Sequence, residues 1–312
     1  MTILVASAMI KPLLEARLPG WVEPRWFGST REMWELAPEA EIGWLDTYKK
    51  PDMAEGVRRA AKLKWLNSIY AGVDGVPLEI LAERGVVFTN GVGINAVTIA
   101  EYAVMGMLTT AKGYREVVAA QQRREWLLDS PGKVELAGSK ALIIGYGAIG
   151  QLIDARLAAF DVAVTKVRRT PGEGVLAPDQ WRGRLGDFDW IILAVPSTED
   201  TRRMIGAAEL AAMKPAAVIL NIARGAVIDQ PALVEALREK RIGGAFLDVT
   251  SPEPLPPEHE LWDLPNAHIT MHLSGRAQDR MFHRAADRFL ANLVRFKRGE
   301  PVEPRVNLAL GY

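Results

Sequence analysis

The stretch Ala141-Leu-Ile-Ile-Gly145-Tyr-Gly147-Ala-Ile-Gly150 is an apolar run of strand length that ends in three glycines and passes into helical sequence at Gln151–Phe160. In such a strand, G-x-G-x-x-G, helix pattern the first glycine permits a tight turn. The second lets the backbone approach a pyrophosphate, and the third lets helix and strand pack closely. The helix N-terminus beyond it offers free N–H groups and partial positive charge to phosphates. Three glycines alone are a weak signal; the strand before and the helix after supply the context. A dinucleotide site is therefore expected on Gly145, Tyr146, Gly147, Ala148, Ile149 and Gly150.

Working outward, apolar runs of strand length alternate with helical patterns. Strands are expected at Ile3–Ala6, Glu41–Leu45, Trp65–Tyr70 and Val86–Thr89. A second group is expected at Ala141–Ile144, Val162–Val167, Trp190–Ala194, Val218–Asn221, Ala245–Val249 and Ala267–Thr270. Several are apolar on both faces, as buried parallel strands are, and strand–helix alternation implies parallel sheets covered by helices. Between the groups, Ala96–Leu128 reads as long helical sequence broken near Lys112–Gly113. A last helix, about Gln278–Arg298, carries Met281, Phe282, Ala285, Phe289, Leu293 and Phe296 at helical spacing and can cross back over the first group. The expected fold is α/β: two Rossmann-like or flavodoxin-like parallel-sheet domains with an active-site cleft between them. Residues 1–95 and 277–312 would form a substrate-binding domain, and 96–276 a dinucleotide-binding domain.

With 312 residues, 49% hydrophobic and 24% charged, the composition is that of an ordinary globular chain. Lys+Arg and Asp+Glu are both 38, so neither a nucleic-acid surface nor a polybasic membrane patch is expected. No cysteine is present, which excludes disulfides, thiolate metal sites and a cysteine nucleophile. Histidines 259, 268, 272 and 283 are not expected to form a metal cluster. The apolar start Met1–Ile10 is too short to span a bilayer and reads as a short first buried strand leading into a helix, so the protein is expected in the cytoplasm.

The end of the strand after the glycine turn decides the dinucleotide. A site preferring NAD(H) places Asp or Glu there for the adenosine ribose. Here Val164-Thr-Lys166-Val-Arg168-Arg169-Thr170-Pro171 has no acid, and a guanidinium can grip a 2′-phosphate bidentately. NADP(H) is expected over NAD(H), through Arg168, Arg169 and Thr170. Hydride transfer to a carbonyl also needs a cation to polarise it and a general acid. Asn221-Ile-Ala-Arg224-Gly225, Asp248-Val-Thr-Ser-Pro-Glu253-Pro254 and Ile269-Thr-Met-His272 each put such a residue just past a strand, where open α/β sheets bind ligands.

In this order behind the glycine turn, these segments resemble the D-isomer-specific 2-hydroxyacid dehydrogenase family over almost the whole chain. Asn67-Ser-Ile-Tyr-Ala71-Gly72-Val73-Asp74, Ala100-Glu101, Val195-Pro196-Ser-Thr198-Glu-Asp-Thr201, Met213-Lys214-Pro215 and Asp229–Leu237 add to the likeness. The resemblance implies a catalytic set of Arg224, Glu253 and His272, with Arg224 and His272 also touching substrate. It implies that backbone N–H groups around Ala71, Gly72 and Val73 hold the substrate carboxylate and that Asp248 meets the nicotinamide amide. Val195 and Pro196 would line the adenine side, and Thr201, Ile222, Ala223 and Ser274 join the cofactor contacts. It further implies closure of the two domains over the cleft, D products and a homodimer contact on Ala96–Leu128. The arginine pair resembles the branch of NADP-using glyoxylate and hydroxypyruvate reductases.

The chain departs from the family where Met271 replaces the proline that usually precedes the histidine, and Arg276 adds a cation nearby. His259 is expected on the surface, His268 in a structural place and His283 on the last helix. Trp44, Tyr48 and Tyr70 read as core aromatics that could instead face substrate. Two other functions fit the pattern: a dinucleotide-sensing binding protein without turnover, and an oxidoreductase of formate or phosphite.

Overall fold

Strands apolar on both faces need helices on both sides, which parallel crossovers provide. In the computed structural model, which describes every residue except Tyr48, Asp74, Pro171, Ala277 and Tyr312, the chain divides into two units. One is Met1–Asn95 with Gln278–Tyr312, the other Ala96–Ala277. Tyr48, and Asp74 and Pro171 of the motif stretches, lie outside the described residues.

In the smaller unit β1 (Thr2–Ser7), β2 (Val22–Phe27), β3 (Ile42–Trp44), β4 (Trp65–Asn67) and β5 (Val87–Thr89) form one sheet in the order β2-β1-β3-β4-β5. Every pairing is parallel, and the order is that of flavodoxin-like sheets. Sequence patterning missed β2, Val22-Glu-Pro-Arg-Trp-Phe27. It is an edge strand paired only to β1, so Pro24 breaks no central ladder and charged residues stay solvated. One face of the sheet buries Leu4, Ala6, Trp44 and Trp65 under the helix Met281–Lys297. Its Phe289 ring lies 5.0 Å from both indoles. Each buried indole N–H finds an acceptor, Asp46 Oδ2 for Trp44 and Thr89 Oγ1 for Trp65, both at 2.8 Å. Trp44 is thus core, whereas Tyr70 is exposed.

In the larger unit β6 (Lys140–Ile144), β7 (Ala163–Val167), β8 (Val175–Leu176), β9 (Trp190–Leu193), β10 (Val218–Asn221), β11 (Gly244–Leu247) and β12 (Ala267–Ile269) form a parallel sheet. The order β12-β11-β10-β9-β6-β7-β8 is the doubly wound dinucleotide-binding order with one strand added. The winding reverses between β6 and β9, so the turn after β6 sits at the switch point. The two-residue edge strand β8 is too short to pattern. The expected helix Ala96–Leu128 is two helices, Ala96–Ala111 and Tyr114–Arg123, broken at left-handed Gly113. The second stops at left-handed Arg124 instead of running to Leu128. Gly106 lets the first lie against the sheet, because a Cβ there would be 2.7 Å from the Phe246 ring. Among the described residues no helix is long and apolar enough to cross a membrane.

Phe289 joins the chain's last helix to strands from its first hundred residues. Phe289→Ala should lower unfolding free energy by roughly 3–5 kcal/mol, as large-to-small changes in aromatic cores do. Urea unfolding followed by tryptophan fluorescence measures it; a loss below about 1 kcal/mol would mean the site collapses around the gap or packs loosely.

Candidate active site

The three glycines of the turn serve different ends. At Gly145, with φ 103°, a Cβ would stand 2.4 Å from the Ala194 carbonyl oxygen, and at Gly150 one would stand 2.5 Å from the Gly145 oxygen. Those two are fixed by packing. A Cβ at Gly147 would meet nothing within 4 Å, so this glycine faces open space. The helix Ala148–Leu157 starts directly after it with no side-chain cap, leaving its first N–H groups to a ligand. Ala148 is exposed and Ile149 half-buried. The turn fits a dinucleotide pyrophosphate, the group this fold holds at that point.

Tyr146 is tied back. Its hydroxyl donates to Asp154 Oδ2 at 2.5 Å, and Lys166 Nζ lies 2.7 Å from the same oxygen. Lys166 is thereby neutralised. At the end of β7, Arg168, Arg169 and Thr170 are all exposed, and Arg169 lies 3.8 Å from Asp200 across the surface. Thr201 Oγ1 donates to the Pro196 carbonyl at 2.7 Å and accepts the Thr198 N–H. It therefore ties down the loop that begins at Val195–Pro196. Ile222 and Ala223 are buried, each about 5% exposed.

Strands β10, β11 and β12 are neighbours and parallel, so their carboxyl ends share one edge with the glycine turn. Arg224 stands three residues past β10, half-buried, with its carbonyl held by Asn221 Nδ2 at 3.0 Å. Glu253 lies in the loop after β11 and His272 just past β12. His272 Nδ1 is 2.7 Å from Glu253 Oε2. Burial works against the Glu253 charge, yet the hydrogen bond and charge of His272, the Thr250 N–H and the Arg224 guanidinium hold its carboxyl below the usual carboxylate range. The three predicted residues thus share one electrostatic site.

What sets this arrangement is a residue that the sequence suggested only as a cofactor contact. Asp248 is 2% exposed. Its Oδ1 accepts the Thr270 hydroxyl at 2.7 Å and the N–H groups of Leu273 and Ser274 at 3.1 and 3.2 Å. Its Oδ2 accepts the buried Ser274 hydroxyl at 2.5 Å, and its carbonyl takes the His272 N–H. Inside this network Met271 and His272 adopt φ of 54° and 56°, the left-handed region that non-glycine residues rarely enter. A proline, locked near φ −65°, has no place at 271 in this loop.

The other histidines sort by contact. His259 is no solvated surface group, contrary to expectation. Its Nδ1 accepts the Leu261 N–H and its Nε2 meets Gln230 Nε2, each at 3.1 Å, so it caps a short helix. His268 is half-buried in β12, where burial and then Arg115 lower its pKa. His268 and His272 stand four residues apart, but a strand carries the first, which separates them along its axis. Among the described residues no three potential ligands gather for a metal. His283 and Arg276 are exposed, and Arg276 has no ion pair among the described residues.

In the smaller unit, Ala71, Gly72 and Val73 follow β4 in an accessible loop. Asn90 Nδ2 holds the Ala71 carbonyl at 2.7 Å and the Gly91 N–H holds the Tyr70 carbonyl at 2.8 Å. The N–H groups of Ala71, Gly72 and Val73 meet no protein acceptor among the described residues. Runs of such N–H groups make anion-binding concavities.

The profile for the NAD binding domain of the D-isomer specific 2-hydroxyacid dehydrogenases matches residues 104–274. The chain is 34% identical over 265 residues to a glyoxylate reductase from Pyrococcus furiosus, covering 81% of this chain and 78% of that one. A crystal structure of a D-isomer specific 2-hydroxyacid dehydrogenase family protein from Aeromonas salmonicida has a TM-score of 0.86 at 30% identity, covering 98% of this chain and 99% of that one. An NADPH-dependent glyoxylate/hydroxypyruvate reductase from Sinorhizobium meliloti, in complex with NADP and malonate, has a TM-score of 0.79 at 26% identity, covering 99% and 98%. The matched residues 104–274 include the glycine turn and all of Arg224, Glu253 and His272. The chain belongs to the D-isomer specific 2-hydroxyacid dehydrogenase family and is an oxidoreductase that uses a nicotinamide dinucleotide.

Proposed function

We propose that this protein reduces small 2-oxo acids to D-2-hydroxy acids with NADPH, glyoxylate and hydroxypyruvate being the first candidates. The observation that carries the reading is the 2.7 Å contact between His272 and Glu253 beside Arg224, on the sheet edge that holds the glycine turn. The names of the Pyrococcus and Sinorhizobium proteins support the substrate class.

The dinucleotide supplies a hydride when bound. Arg224 binds the substrate carboxylate and polarises the adjacent carbonyl. Glu253 accepts the Nδ1–H of His272, which fixes the ring and leaves Nε2 to give a proton to the developing alkoxide. In oxidation the same nitrogen takes the proton back. The smaller unit takes the role of substrate domain, its Ala71, Gly72 and Val73 N–H groups binding the carboxylate. Asp248, Ser274, Ile222 and Ala223 shape the nicotinamide end, and Val195, Pro196 and Thr201 the adenine end. The acid-free end of β7 favours NADP(H), because exposed Arg168 and Arg169 suit a 2′-phosphate. Trp126 and Leu128, 89% and 97% exposed, follow the helices Ala96–Ala111 and Tyr114–Arg123. They support a homodimer contact on that segment, since large exposed apolar residues mark interaction surfaces.

A panel of 2-oxo acids with NADPH, run against formate and phosphite with NADP⁺, tests the reaction class. Turnover of glyoxylate or hydroxypyruvate is expected, and no turnover of any 2-oxo acid would sink the proposal. His272→Asn should cut kcat about 10²–10⁴-fold, the usual worth of a general acid, with NADPH binding unchanged; an unaltered kcat removes His272 from the role. The kcat/KM for NADPH should exceed that for NADH. Arg168→Ala with Arg169→Ala should cost NADPH about 10-fold or more and leave NADH within about 3-fold, as lost phosphate contacts imply. A wild-type preference for NADH would overturn the cofactor assignment.

Glu253 also makes a pH prediction. Its folded value lies below the ordinary one, so its stabilising contribution is present above the ordinary value and is lost as the pH falls through the folded one. The Tm gap between wild type and Glu253→Gln should shrink between about pH 6 and about pH 3. A gap that widens towards acid would contradict the pairing.

A further inference from the structure

The smaller unit contains a second carboxylate with several donors and no described function. Asp46 follows β3, and Trp44 Nε1 and the Ile69 N–H donate to its Oδ2 at 2.8 and 2.6 Å. The Ser68 hydroxyl donates to Oδ1 at 2.7 Å and accepts the Tyr70 N–H at 3.1 Å. Among the described residues no lysine or arginine pairs with Asp46, and burial pushes its carboxyl up to about 6 despite the three donors. An unneutralised buried carboxylate costs stability. Residues of that kind gather at functional sites, where geometry is worth the cost.

The geometry here concerns the loop after β4. Asp46 takes the Ile69 N–H directly and, through Ser68, fixes Tyr70. From the other side Asn90 and the Gly91 N–H hold the carbonyls of Ala71 and Tyr70. Gly91 runs so close that a Cβ would stand 1.8 Å from the Ile69 oxygen. With these groups occupied, the next donors along the chain are those of Ala71, Gly72 and Val73, which meet no protein acceptor among the described residues.

We propose that Asp46 is a positioning residue for substrate binding: by holding Ser68 and Ile69 it sets the Ala71–Val73 N–H groups to receive the carboxylate of a 2-oxo acid. This rests on the proposed role of that loop. Asp46 itself does not touch the substrate, so its loss should weaken binding in ground and transition states alike, which raises KM and spares kcat.

The test measures kcat and KM for glyoxylate, and Kd for NADPH by fluorescence quenching, at pH 8, where Asp46 is ionised. Asp46→Ala should raise KM about 10-fold, with kcat and the NADPH Kd within about 2-fold. Asp46→Asn keeps an acceptor for Ile69 and should restore KM to within about 3-fold of wild type. If Asp46→Ala fails to fold, Ser68→Ala opens the same bridge at one hydroxyl and should raise KM about 3-fold. Gly72→Pro, which deletes one of the three donors, separates the two ideas. A KM rise in Gly72→Pro without one in the Asp46 and Ser68 variants overturns the role of Asp46 alone. No rise in any of them overturns the loop's role as well, and a fall in kcat matched by weaker NADPH binding would show only a structural defect and also overturns the proposal.

Discussion

A buried carboxylate decides where the imidazole of this site points. Asp248 gathers the Thr270 hydroxyl, two backbone N–H groups and the Ser274 hydroxyl on its two oxygens, and its carbonyl takes the His272 N–H. Two consecutive L-residues, Met271 and His272, are thereby held left-handed, at about 1–2 kcal/mol each. Hydrogen bonds to an ionised group are roughly twice as strong as neutral ones, so four of them offset that strain. The strained pair turns the chain sharply at the end of β12, and the ring reaches Glu253 as a result.

The sheet supplies the rest of the registration. Parallel pairing brings the ends of β10, β11 and β12 to one edge, so Arg224, Glu253 and His272, far apart in sequence, meet without any long excursion of the chain. The same edge holds the glycine turn at the switch point, where the winding order reverses. The glycine turn and the Arg224, Glu253 and His272 group thus rest on one scaffold, the larger unit. The smaller unit repeats the device in miniature: Asp46 arranges the loop after β4 as Asp248 arranges the loop after β12. In both places a carboxylate that follows one strand takes several donors from the loop that follows its neighbour.

Much of this was legible in the sequence because it rests on periodicity and on short motifs. The central strands are apolar on both faces, and the ends of the expected ones lie within three residues of the observed ends. The edge strands β2 and β8 were not legible, since an edge needs neither continuous apolar sequence nor freedom from proline and charge. The helix after Gly113 overran in the reading because its end at Arg124 is set by a left-handed residue without glycine. Arg224, Glu253 and His272 could be named from strand ends and family order. The Asp248 network could not, because its donors are backbone groups and hydroxyls spread over five residues with no motif of their own. His259 was misread for the same reason: its partner Gln230 lies 29 residues away. Met271 stood out as a missing proline, but only the backbone angle shows that proline and this loop exclude each other.

The central dependence is that of the His272 ring on Asp248, and a crystal structure of the Asp248→Ala variant measures it most directly. Met271 and His272 should return to negative φ, and His272 Nδ1 should leave hydrogen-bond range of Glu253 Oε2. A variant that kept both the left-handed pair and the 2.7 Å contact would contradict the role given to Asp248.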